Sequence, residues 1–172
     1  MSASPVDQSS PPRLVAEPLT AAGFAPFGDV LAPPAQPGRA YFADALANDR
    51  STAQPSLSLS RIEPVPVGPL SAVMMERHAY SSQSFIALEA GRWLVVVAPH
   101  GPDGSPDMAN ARAFICGPRQ GVTYRADVWH HPLTVLDAPA TFAVLMWRDG
   151  SAGDEEFVDI KPHVIETEGV LP

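Results

Sequence analysis

The chain of 172 residues carries 11 Lys and Arg against 19 Asp and Glu, a formal net charge of −8, which argues against a nucleic-acid binder because that needs clustered cations. No apolar run approaches the ~20 residues of a membrane-spanning helix, and Met1 to Arg13 has neither the basic start nor the apolar stretch of a secretory leader. Cys116 is the single cysteine, so an internal disulfide and a Cys-based zinc site are both excluded. The expectation is a soluble, cytoplasmic, single-domain protein with no nucleic-acid or membrane partner. Eight of its 20 prolines precede Arg39 and only 17% of its residues are charged. Both features disfavour long helices and point to β structure with turns.

In chain order, residues 1–13 read as a disordered Pro/Ser-rich tail and residues 14–172 as one domain. Leu14 to Leu19 is a candidate strand, and Thr20 is the N-cap of one helical turn over Ala21 to Phe24. A turn at Gly28-Asp29 precedes Val30-Leu31, and Phe42 to Asn48 is a candidate short helix. Short strands follow at Ser56 to Ile62, Ser71 to His78, Gln83 to Glu89, Trp93 to Ala98 and Arg112 to Cys116. Three more are expected at Val122 to Tyr124, Val128 to Leu136 and Thr141 to Trp147, with a hairpin turn at Asp137 to Ala140. Many short strands at near-even spacing indicate a sandwich or small barrel. No helix long enough for a βαβ crossover is visible in this half.

Side chains two apart on a strand share a face. Arg61 would then share the face of Leu57 and Leu59, where a cation is rare unless it is paired or meets an anion; the bland alternative is that the strand ends at Ser60. Glu76 and His78 align on the next strand, with Met75 and Arg77 opposite. Gln83 lies five residues beyond His78, which makes Glu76, His78 and Gln83 a compact set of oxygen and nitrogen donors. The alternative is a histidine held by structural hydrogen bonds. In Asp127 to Leu133, His130 and His131 face opposite ways, so at most one points to the core. Trp129 can wall a pocket, and a buried imidazole suits proton transfer or metal binding near neutral pH. Arg77, Arg112 and Arg148 are guanidinium candidates for a bidentate grip on a substrate carboxylate. Tyr124 offers a phenol donor, Cys116 reads as core, and Asp154-Glu155-Glu156 reads as a solvated turn.

ERHAYSSQSFIAL (Glu76 to Leu88), RAFI (Arg112 to Ile115) and QGVTYRADVWHHPL (Gln120 to Leu133) together resemble the ureidoglycolate lyase family of allantoin catabolism, formerly called ureidoglycolate hydrolases. The similarity extends from about Leu14 to Ile160. It implies a mainly β, cupin-like small barrel with a few short helices near the N-terminus, usually a homodimer, that splits ureidoglycolate into glyoxylate and urea. It also implies nickel or another divalent ion in some members. By analogy with cupin ligand sets, Glu76, His78, Gln83 and His130 are the candidate metal ligands, and no metal at all is the alternative. The chain departs from the pattern at Gly38 to Asp49 and at Trp147-Arg148. A related carbinolamine-type hydroxy acid is therefore the alternative substrate, and a non-enzymatic carboxylate-binding module the alternative outside enzymology. On the lyase reading, His130 and His78 are the acid–base pair. Gln83 and Tyr124 hydrogen-bond the substrate, Arg77, Arg61 or Arg112 holds its carboxylate, and Trp129 walls the pocket.

Overall fold

Strand follows strand because breakers recur every few residues and the segments between them favour the pleat. A computed structural model describes residues 10–172, so the first nine residues of the expected tail lie outside the described residues. Twelve strands, one α-helical turn and one 3-10 turn run in the order β1 (Arg13–Pro18), α1 (Ala21–Phe24), β2 (Gly28–Leu31), β3 (Gln54–Ile62), β4 (Leu70–His78), β5 (Gln83–Glu89) and β6 (Trp93–Ala98), and continue through the 3-10 turn (Met108–Asn110) with β7 (Arg112–Cys116), β8 (Gly121–Tyr124), β9 (Trp129–His130), β10 (Thr134–Val135), β11 (Ala140–Arg148) and β12 (Glu155–Glu166). The Thr20 hydroxyl accepts from the Gly23 amide at 3.1 Å, as a cap should. The fold is mainly β, and six strands close into a barrel in the order β6-β7-β1-β12-β4-β9, with β9 returning to β6.

The barrel has its own filling. Ala16, Ala72, Leu94, Val96, Ala113, Ile115 and Ile165 meet in one buried cluster, and Met75, Ala98 and Trp129 continue it toward one end. Ala72 and Met75 are three apart yet share this interior, so the alternation of β4 slips between them. The pairing of β12 with β4 shifts register at the same place, between Asp159 and His163. Beyond the slip Glu76 and His78 face the other way, out of the barrel.

A second sheet, ordered β2-β8-β5-β11-β3, lies against that outer wall. Trp93, Val95, Val97, Phe114 and Cys116 from the barrel pack there against Phe85, Val122, Tyr124, Phe142 and Val144. Alternation explains the division of β6: its odd residues face the second sheet and its even residues fill the barrel. Gly121 allows β8 to approach β5 closely, since a Cβ on it would stand 2.4 Å from the Phe85 carbonyl oxygen.

Four sequence expectations change. Phe42 to Asn48 is not helical; Asn48 instead bridges Ser81. Val128 to Leu136 is two short strands, because Pro132 offers no amide to the ladder. Asp137 to Ala140 is not a hairpin turn, because β10 pairs with β6 in the barrel while β11 belongs to the second sheet. The twelve-residue β12 has no counterpart among the expected strands, and it joins β1 to β4 in the barrel.

Candidate active site

Two cross-strand pairs face each other between the barrel wall and the second sheet. On the wall Glu76 of β4 lies opposite His130 of β9, and on the second sheet Gln83 of β5 lies opposite Tyr124 of β8. The pairs meet through His130. Its ring stacks on Tyr124 with centroids 4.0 Å apart and planes 13° apart, and its Nε2 lies 3.2 Å from Gln83 Oε1 and 3.3 Å from Glu76 Oε1. His78, at the end of β4, lies nearly parallel to His130 at 6.1 Å. His78, Gln83, Tyr124 and His130 are all buried, while Glu76 keeps partial contact with solvent.

The hydrogen bonds distinguish the two imidazoles. His130 Nδ1 faces the Val128 carbonyl at 2.9 Å and its Nε2 faces side-chain oxygens. Both ring nitrogens of His130 thus stand at hydrogen-bonding distance from oxygen atoms, with the Glu76 carboxylate beside Nε2. Burial works against that carboxylate, yet its hydrogen bond to His130 and the nearby imidazoles hold it below its ordinary range. His78 is the opposite case. Burial, reinforced by His130, pushes it below the ordinary histidine value and so favours its neutral form. Burial also holds the Tyr124 phenol well above its usual range, so it stays a donor.

Asp154 completes the surroundings of His78. The solvated turn expected here is not what forms: Asp154 is 4% exposed, whereas Glu155 and Glu156 are exposed. Its carboxylate accepts from the Tyr80 amide at 2.8 Å, from the Ser81 hydroxyl at 2.5 Å and from Arg50 Nη2 at 3.2 Å. Arg50 is held in turn by Asp149 and the Trp147 carbonyl. Nothing in the local text around Asp154 marks this burial. The start of β12 carries it in, since Glu155 pairs with His78.

The structure sets the expected guanidiniums apart from the histidine pair. Arg77 lies over Trp129 at 4.5 Å and pairs with Asp127 and Glu156 at 2.8 and 2.6 Å; Trp129 itself packs inside the barrel and donates to the Gly104 carbonyl. Arg112 is held by Glu17 and the Gly23 carbonyl near α1. Arg61 is exposed on the outer face of the second sheet beside Thr141, and Arg148 is exposed at the end of β11. His131 points away from His130 and donates to the Met74 carbonyl at 2.9 Å.

The residues do not fit a divalent metal as they are arranged. Metal–imidazole bonds are about 2.0–2.1 Å for zinc and need an unprotonated nitrogen facing the ion, whereas His130 Nε2 is turned onto two oxygens. Among the described residues no three His, Cys, Asp or Glu side chains converge as a metal-holding group.

A small β-barrel is backed by a second sheet, and two buried imidazoles and a carboxylate lie in the seam between them, groups whose chemistry suits proton transfer. The family described as ureidoglycolate lyase matches residues 11–170, and the chain belongs to that family. It is 36% identical to a ureidoglycolate lyase of Pseudomonas syringae pv. syringae, across 90% of this chain and 98% of the relative. It is 41% identical to one from Burkholderia cepacia, across 80% and 81%. With one from Pseudomonas syringae pv. tomato it shares 39% identity, across 85% and 90%.

Proposed function

We propose that the protein is a carbon–nitrogen lyase that cleaves ureidoglycolate to glyoxylate and urea in allantoin-linked purine nitrogen catabolism. Family membership supports the substrate. The observation that carries the chemistry is the pair of nearly parallel buried imidazoles 6.1 Å apart, in opposite hydrogen-bonding states. The substrate is a carbinolamide with a hydroxyl and a ureido nitrogen on one carbon. Its cleavage needs the hydroxyl proton removed as the C–N bond breaks and a proton delivered to the departing nitrogen.

Neutral His78 is the base and His130 the acid. As His78 takes the hydroxyl proton, the O–H pair forms the glyoxylate carbonyl and the C–N pair leaves with urea, which takes its proton from His130. Exchange with water then resets both rings. Glu76 lies beside His130 Nε2 and fixes the ring, and Gln83 and Tyr124 hydrogen-bond the ureido oxygen or the hydroxyl. Of the guanidiniums considered in the sequence, none adjoins this pair; Arg50 is linked to it through Asp154.

Incubating purified protein with ureidoglycolate tests the reading. Glyoxylate and urea in equal amounts are expected, and ammonia with carbon dioxide in place of urea would mean amide hydrolysis instead. Because the donor set is turned onto itself, we also propose that the steps above proceed without a resident metal. Metal analysis of untagged protein is expected to find well below one ion per chain; one nickel per chain with chelator-sensitive turnover would contradict that.

We further propose a cytoplasmic homodimer. No described helix is long and apolar enough to cross a membrane. The outer face of the second sheet leaves Leu57 and Leu59 about 70% exposed, with Leu88 and Ile86 also open. Leu59, Ala143 and Ile86 form one continuous row across β3, β11 and β5. Contiguous apolar surface of this kind marks association sites.

A further inference from the structure

His78 Nδ1 is buried and has no hydrogen-bond partner. A polar atom in that state is costly, and native structures rarely leave one orphaned. One group stands poised to satisfy it: Asp154 Oδ2, 3.5 Å away, is just beyond hydrogen-bonding distance. That carboxylate is itself fixed. Tyr80 and Ser81 on the β4–β5 turn and Arg50 from the loop before β3 hold it through three donors. The backbone is tied at the same point, with the Ala79 amide donating to the Asp154 carbonyl at 2.9 Å and the Asp127 amide to the His78 carbonyl at 2.7 Å.

We propose that Asp154 is the positioning residue of His78: it accepts a hydrogen bond from Nδ1–H, fixes that tautomer and ring orientation, and leaves Nε2 unprotonated toward the substrate. Shortening the 3.5 Å separation by a few tenths of an ångström brings the two atoms into the usual N–H···O range. A buried carboxylate behind an imidazole selects the tautomer and supports the cation that forms as the base takes its proton. Both events fall on the step assigned to His78, so this inference rests on the acid–base reading above. Ser81 and Arg50 act one layer further out by holding the carboxylate.

Nitrogen-15 NMR of the wild-type histidines tests the tautomer without substrate. The Nδ1–H form is expected for His78, and the Nε2–H form would overturn the proposal. In Asp154→Asn, whose side chain is nearly isosteric, the Nδ1–H preference is expected to be lost. Its kcat is expected to fall about 100-fold or more, with KM within about twofold of wild type. In a His78→Ala background the same substitution should lower kcat no further. An equal further loss there, or wild-type kcat in Asp154→Asn, would show that the carboxylate only supports the fold. If wild-type protein releases no urea while His78 keeps the Nδ1–H tautomer, the substrate assignment fails and the positioning role stands.

Discussion

Two histidines near the site, buried His78 and half-buried His131, are withdrawn from water, and acid should reveal it. His78 and His131 are both depressed, chiefly by burial, whereas in the unfolded chain they titrate near 6.5. The unfolded state therefore binds more protons below that value, so the stability these neutral rings provide is complete above about pH 6.5 and is lost as pH falls through their folded-state values. Glu76, held below its ordinary 4.5, adds a second loss in the same direction at lower pH. Urea denaturation at pH 8 and pH 5 is expected to give a lower unfolding free energy at pH 5. Equal or greater stability at pH 5 would contradict the assignment of neutral imidazoles. Only the pattern of pairing separates these residues: the alternation rule puts His130 and His131 on opposite faces, and it cannot say which face holds Glu76 and Gln83.

At the scale of elements, strand identity is legible in the sequence and strand partnership is not. Trp93–Ala98 and Arg112–Cys116 stand where the breakers place them, since Gly and Pro flank short β-forming runs. Strand β12 is harder to read. Five of its twelve residues are charged, as many as are Val, Ile or Phe, and Pro162 interrupts the run. Its burial comes from neighbours on both sides, β1 and β4, which no local window contains. The same blindness hides Asp154 and the two-sheet setting of the site. Partnership can be probed at Gly121, where a methyl group would collide with the Phe85 backbone. Gly121→Ala is expected to destabilise the protein by about 1–3 kcal/mol, the usual range for overpacking. Because β8 also carries Tyr124, turnover should fall with it. Unchanged thermal melting and kinetics would show that β8 and β5 are not in such close contact.

For the whole molecule, the barrel supplies a wall and the second sheet supplies the opposing face of the site. That sheet is thus apolar on its inner side for packing and apolar again on its outer side at Leu57, Leu59, Ile86 and Leu88. Sedimentation is expected to give a dimer for the wild type and a folded monomer for the Leu57→Glu, Leu59→Glu pair. A wild-type monomer, or a dimer untouched by those charges, would place association elsewhere. The resemblance carried by Glu76 to Leu88 and Gln120 to Leu133 anticipates a barrel, but the site residues lie outside its closed interior, in the seam between sheets. Alternation along a strand reports a face and not what lies beyond it.

The account stands on His78 and His130 acting as one proton-transfer pair on the barrel's side of that seam. The most direct measurement is the kcat for ureidoglycolate of His78→Ala and His130→Ala, each checked for an intact thermal transition. Each substitution is expected to lower kcat at least ~100-fold; near-normal turnover in either folded variant would contradict the pair.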